Sequence, residues 1–152
     1  MVVLHLRNTG APCRILGIVL NYGCFDLSNL PSVRLLDPDR PLVLSYEDVT
    51  HFIDAYLPGV SSEKRRQPEI SPAYNNLDNL PPALFIVGTE DGLIDDTILM
   101  SGKWKVAGNE AVVKFIPGAP HGFMTFDGHE VAVAKQGWEI MLQFLVEKIS
   151  SE

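Results

Sequence analysis

The sequence predicts an α/β protein: an open, mostly parallel sheet of about three strands with helices on its faces. Three observations carry that reading. Residues 15–21, 84–88 and 111–116 are short apolar runs rich in β-branched and aromatic side chains, as strands covered on both faces should be. Helical spacing of apolar residues separates or follows them. Gly and Pro punctuate nearly every junction.

Residues 2–8 suit one or two helical turns, ended by Thr9-Gly10-Ala11-Pro12. The first strand, Ile15-Leu16-Gly17-Ile18-Val19-Leu20-Asn21, breaks at Tyr22-Gly23. Residues 24–45 carry Asp, Asn, Ser and three prolines, and read as an excursion with little regular structure. Ser45 resembles an N-cap for a helix bearing Val49, Phe52, Ile53 and Tyr56, which Pro58-Gly59 ends. A second polar, proline-bearing stretch fills 60–82. Then come the strand Leu84-Phe85-Ile86-Val87-Gly88 and a helix with Ile94, Ile98, Leu99, Trp104 and Val106 as its stripe. Gly108 and Asn109 terminate that helix. The strand at 111–116, a loop and a long helix over 130–149 complete the chain. In the last helix Ala134, Trp138, Met141 and Leu145 form the expected apolar face, and Trp104 and Trp138 are expected to pack.

The 152 residues suit one domain; 46% are hydrophobic and 20% charged, the profile of a globular chain. A net charge of −7 argues against nucleic acid and anionic membranes, which attract Lys- and Arg-rich surfaces. The basic run Lys64-Arg65-Arg66 is expected to be a solvated loop. No run approaches the ~20 apolar residues of a membrane span. Neither a leader nor a lipidation signal is legible, so a cytoplasmic location is the expectation. The two cysteines, Cys13 and Cys24, have no metal-site spacing and are expected to be free thiols; no metal or organic cofactor is implied.

Two loops carry candidate chemistry. Thr89-Glu90-Asp91-Gly92 follows one strand and Pro117-Gly118-Ala119-Pro120-His121-Gly122-Phe123 follows the next. Functional groups in open α/β sheets gather beyond the carboxyl ends of strands. Neighbouring parallel strands lie about 4.8 Å apart, so their end loops meet and Asp91 comes within reach of His121. A carboxylate on one imidazole nitrogen fixes the tautomer and leaves the other nitrogen as a base. Taken singly, Asp-Gly is more often a turn and His-Gly a helix cap. On these residues alone the two readings stand level.

The segment Leu80-Pro81-Pro82-Ala83-Leu84-Phe85-Ile86-Val87-Gly88-Thr89-Glu90-Asp91 resembles the approach to the triad acid in the hormone-sensitive-lipase-like branch of the α/β-hydrolases. Asp91-Gly92-Leu93-Ile94-Asp95-Asp96 is similar to that branch's Asp-Pro-Leu-x-Asp-Glu, with Gly for Pro and Asp for Glu. His121-Gly122-Phe123 matches its His-Gly-Phe, and 52–59 and Ile70-Ser71-Pro72 also resemble it. The resemblance runs from about Leu6 to the end. It implies a carboxylic-ester hydrolase, esterase- or lipase-like, with Asp91 as triad acid and His121 as base.

The branch's Gly-x-Ser-x-Gly elbow and His-Gly-Gly oxyanion segment are not present in this sequence. The resemblance therefore implies an incomplete α/β-hydrolase fold. Residues 1–152 would be the C-terminal part of the domain, starting just after the nucleophile and inactive alone. Cys24 is expected to be a packed thiol rather than a substitute nucleophile, and Ser28 fares no better. Asp26 is expected to be structural or pocket-lining. His5, His51 and His129 show no ligand spacing. A non-catalytic derivative that binds a ligand or partner is the alternative, against which retention of His121 counts. A truncated product with no independent role is a further one. An uncovered edge at 15–21 would favour self-association.

Overall fold

The computed structural model describes residues 2–10, 12–40, 42–126 and 131–151. Its elements are α1 (Val2–Thr9), β1 (Ile18–Asn21), α2 (Pro31–Arg34), α3 (Tyr46–Tyr56), α4 (Ser62–Arg65), a 3-10 turn at Pro72–Tyr74, β2 (Ala83–Gly88), α5 (Ile94–Val106), β3 (Ala111–Ile116), a 3-10 turn at Phe123–Thr125 and α6 (Ala132–Ser150). The strands form one open parallel sheet in the order β1-β2-β3. Ala83 lies opposite Ile18 on one side and Ala111 on the other.

The all-apolar pattern of β2 has a simple cause: every residue of it is buried. Ala83 and Phe85 face a core with Leu4, Phe25, Met100 and Trp104, whereas Leu84 and Ile86 face a second core with Ile116, Phe123 and Phe144. Helices α1 and α5 thus cover one face, and α6 covers the other. Trp104 is buried with its indole N–H donating to the Pro81 carbonyl at 3.1 Å, so its one polar atom is satisfied.

Several expectations need correction. The first strand begins at Ile18 rather than residue 15. The two excursions contain more structure than expected, namely α2, α4 and the Pro72–Tyr74 turn. On α5, Ile98 and Val106 are exposed, while Asp96, Thr97 and Ser101 are buried beside Met100 and Trp104. Asp96 is there because it anchors the excursion, and the Ser101 hydroxyl is satisfied within the helix by the Ile98 carbonyl. On α6 the buried line is Ala134, Gly137 and Phe144; Trp138 is 44% exposed and its indole N–H donates to the Met124 carbonyl at 3.0 Å. Gly137 is required there because a Cβ would collide with Phe123 and Met124. The expected helix start at Glu130, like His129, lies outside the described residues.

The basic run is helical rather than a loop through Arg65, and while Lys64 and Arg66 are exposed as expected, Arg65 is not. Arg65 is buried, donates from Nε to the Val60 carbonyl at 3.0 Å and pairs with Asp54. Arg66 donates to the Ser28 hydroxyl at 3.0 Å. The predicted cap of α3 is present in full: the Ser45 hydroxyl accepts from the Asp48 amide at 3.0 Å, and the Asp48 carboxylate accepts from the Ser45 amide at 3.0 Å. Among the described residues no helix is long and apolar enough to cross a membrane.

Candidate active site

The site lies where β2 and β3 end. Gly88 and Ile116 are opposite each other at the last register position. Beyond them the two loops bond directly: the Thr89 amide donates to the Ile116 carbonyl at 3.0 Å, the Glu90 amide to the Ala119 carbonyl at 3.1 Å, and the Gly118 amide to the Thr89 hydroxyl at 2.9 Å. Gly88 permits this approach, because a side chain there would fall on the Ala119 carbonyl. Gly122 follows His121 in the left-handed region at φ 68°, where a residue with a Cβ is strained. The turn it makes drives Phe123 into the core and leaves His121 at the surface of the cleft.

These loops bring the two predicted site residues together. Nδ1 of His121 lies 3.0 Å from Oδ2 and 3.2 Å from Oδ1 of Asp91. The Asp91 side chain is 0% exposed and the imidazole 24%. Asp91 is itself held by its turn, Oδ1 accepting from the Leu93 amide at 2.8 Å. A buried, anchored acceptor on Nδ1 selects the tautomer with the proton there and turns Nε2 outward as an acceptor.

His121 stands between two cavities. One, of about 320 Å³, is lined by Thr89, Glu90, Asp91 and Gly92 together with Asp37, Arg40 and a leucine-rich part of the first excursion. The other, of about 350 Å³, is nearly all apolar and includes Cys24, Leu27, Leu44, Phe52, Tyr56 and Leu93. The imidazole therefore faces a compartment of mixed polarity and an apolar one.

Sequence reasoning did not find what holds the excursion against the site. Asp95 and Asp96, in the first turn of α5, do so through backbone amides. Oδ1 of Asp96 accepts from Phe25 and Asp26 at 2.6 and 2.7 Å, and Oδ2 of Asp95 accepts from Ser32 at 2.9 Å. Oδ2 of Asp96 is buried with no hydrogen-bond partner among the described residues. Burial pushes the Asp96 carboxyl up to about 7, against the two amides that favour its charged form; Asp26 and Asp95 raise it further. The signal in the sequence was the acidic pair itself, at a helix start where the dipole favours carboxylates.

Asp26 is structural, accepting from the Tyr74 hydroxyl at 2.6 Å and from the Ser28 amide at 2.8 Å. Ser28 is buried beneath Arg66. Cys24 is a free thiol pushed up to about 12 by burial and by the charges of Asp96 and Asp26, which suits a packed side chain and not a nucleophile. Cys13 is free and exposed, and His5 and His51 are exposed. No group of three or more His, Cys, Asp or Glu among the described residues is placed to hold a metal ion.

The family model for the alpha/beta hydrolase fold matches residues 1–125. The chain belongs to the α/β hydrolase family. Its structure is similar to that of the HSL homologue EstE7 from a metagenome library (TM-score 0.84, 26% identity), covering 96% of this hydrolase chain and 49% of that one. A mutant of the esterase E40 gives a TM-score of 0.85 at 26% identity, with 97% and 48% covered. The esterase of Pyrobaculum calidifontis gives 0.79 at 25%, with 98% and 47% covered. This hydrolase chain thus spans about half the length of the esterases it resembles, including members of the hormone-sensitive lipase family. None of the curated proteins matches its sequence.

Proposed function

We propose that these 152 residues supply the acid and the base of a carboxylic-ester hydrolase, Asp91 and His121, as the C-terminal part of an α/β-hydrolase domain. The observation that carries the reading is the buried Asp91 carboxylate on Nδ1 of an imidazole that opens onto two cavities. In this mechanism Nε2 takes the proton of a serine hydroxyl as that oxygen attacks the ester carbonyl, and later gives it to the leaving alcohol. Asp91 does not change protonation; it stabilises the imidazolium that forms. The apolar cavity suits the hydrocarbon portion of a small ester. No metal or organic cofactor enters the scheme.

The serine and the oxyanion donors must come from outside these residues, because no Gly-x-Ser-x-Gly or His-Gly-Gly segment is present in the sequence. The chain by itself is then nearly inactive, since preorganised oxyanion donors are usually the largest electrostatic contribution. Turnover of p-nitrophenyl acetate by the purified chain should stay at background and not respond to His121→Ala. Robust turnover abolished by that change would reveal a nucleophile within the chain. Reading the coding sequence upstream of Met1 tests the other half: an in-frame Gly-x-Ser-x-Gly supports the proposal, and an unrelated sequence counts against it. Self-association belongs to the same proposal, because β1 has a partner strand on one side only among the described residues. A monodisperse monomer at high concentration in sizing chromatography would refute that part.

A further inference from the structure

Tyr22 sits at the C-terminal end of β1 with φ 38°, inside the region that residues bearing a Cβ rarely adopt. Its amide still closes the ladder, donating to the Ile86 carbonyl at 2.7 Å, so the backbone turns sharply while tied to the sheet. The turn carries the phenol ring to the site. Its centroid lies 5.0 Å from that of the His121 imidazole with the planes at 68°, and 5.9 Å from Phe123 at 65°. Burial, and then the charge of Asp91, raise the hydroxyl above the ordinary phenol range, so it remains a neutral phenol.

We propose that Tyr22 is a positioning residue for the His121 imidazole. Asp91 grips the ring at one nitrogen, and a hydrogen bond at one atom still permits the ring to swing. Cavities open on both sides of His121, so close packing has to come from elsewhere. Edge-to-face aromatic contact supplies an angular preference that an aliphatic neighbour lacks. The strained backbone points the same way: strain persists where the surroundings over-determine a conformation, and it clusters at functional sites. The catalytic value of this positioning rests on the hydrolase reading, but the positioning itself is measurable without turnover.

The test is the tautomer ratio of the neutral His121 imidazole, read from two-bond proton–nitrogen correlation spectra of the full chain at alkaline pH. His121→Gln assigns the resonances among the four histidines. The Nδ1–H form should predominate in the wild type and in Tyr22→Phe. It should fall several-fold toward Nε2–H in Tyr22→Ala, and likewise in Asp91→Asn. If Tyr22→Ala loses its amide dispersion, Tyr22→Leu fills the space without an aromatic edge and is read in the same way. A wild-type ratio in the folded Ala or Leu variant would overturn this inference alone, as would loss of the preference in Tyr22→Phe. A wild-type imidazole with no Nδ1–H preference would overturn it together with the acid–base pairing.

Discussion

Residues 83–125 and residues 24–82 line the same cleft but are built by different means. The later region is strand, helix, strand and turn, and its order follows from local rules: continuous apolar runs buried on both sheet faces, a helix between them, and glycines where backbones approach. The earlier region spends 59 residues with only short helices and turns apart from α3. Its Val33, Val49 and Ile53 form a small core with Leu93 of the later region, and Phe25, Ala73, Leu77 and Leu80 join the core under the sheet. Side chains gripping backbone add to this: Asp96 on Phe25 and Asp26, Asp95 on Ser32, and the Ser71 hydroxyl between the Leu27 amide and the Arg65 carbonyl. The sheet region carries the candidate chemistry, and the clamped region shapes what reaches it. A fold can therefore hold its candidate reacting groups at the ends of regular elements while leaving the cavity wall to a less regular segment fixed by scattered apolar anchors and side-chain-to-backbone bonds.

The largest expected effect lies in the sheet region. In a hydrolase that contains this chain together with its nucleophile, His121→Ala should lower the rate of p-nitrophenyl acetate hydrolysis by on the order of 10⁴-fold or more. A loss of less than tenfold would remove His121 from the chemistry.

The next largest effect belongs to the clamp. Asp96 is raised to about 7 in the folded chain from an ordinary 3.8, so its favourable contribution is complete below 3.8 and is lost as pH rises through about 7. Denaturant stability of the wild type should therefore decline relative to Asp96→Asn between pH 5 and pH 8. At 1.36 kcal/mol per pKa unit the loss is roughly 4 kcal/mol from below 3.8 to well above 7, of which roughly 2.5 kcal/mol falls between pH 5 and pH 8. A difference between the two proteins that does not vary with pH would show that Asp96 is charged throughout.

A smaller effect belongs to the junction of the two loops. Gly88→Ala pushes a methyl group onto the Ala119 carbonyl and should cost about 1–3 kcal/mol in urea unfolding. A neutral result would mean the His121 loop adjusts freely. Least of all, Ser45→Ala removes one half of the capping box of α3 and should cost about 1 kcal/mol, measured in the same way. Equal costs at Gly88 and Ser45 would erase the contrast between a sheet end and an exposed helix cap.

The contrast also explains what was legible. β2, β3, α3 with its Ser45 cap, and the ends of α5 could be read directly because their signals are local, within about one helical turn or one strand pleat. Placement of Asp91 and His121 followed from the parallel order alone, since neighbouring strand ends bring their loops together. Arg65 was misread for the opposite reason: only the arrival of Asp54 and the Val60 carbonyl makes burial of a guanidinium tolerable, and no spacing rule announces that. Trp138 was misread because a stripe at helical period specifies a face but not its centre, and Gly137 is what lets α6 sit close to Phe123.

By itself the sequence determined the three strands and the longer helices, their parallel order, the family to which the chain belongs and the two residues that meet at the sheet end. Tertiary structure alone decided the angle at which the imidazole is held, the placement of Tyr22 against it, the Asp95–Asp96 clamp and the pair of cavities. Periodicity and turn chemistry act between residues a few positions apart and can be read along a line. The remaining features depend on contacts between residues about 60 to 100 positions apart, such as Asp96 with Phe25 and Tyr22 with His121, whose geometry exists only once the chain has closed on itself.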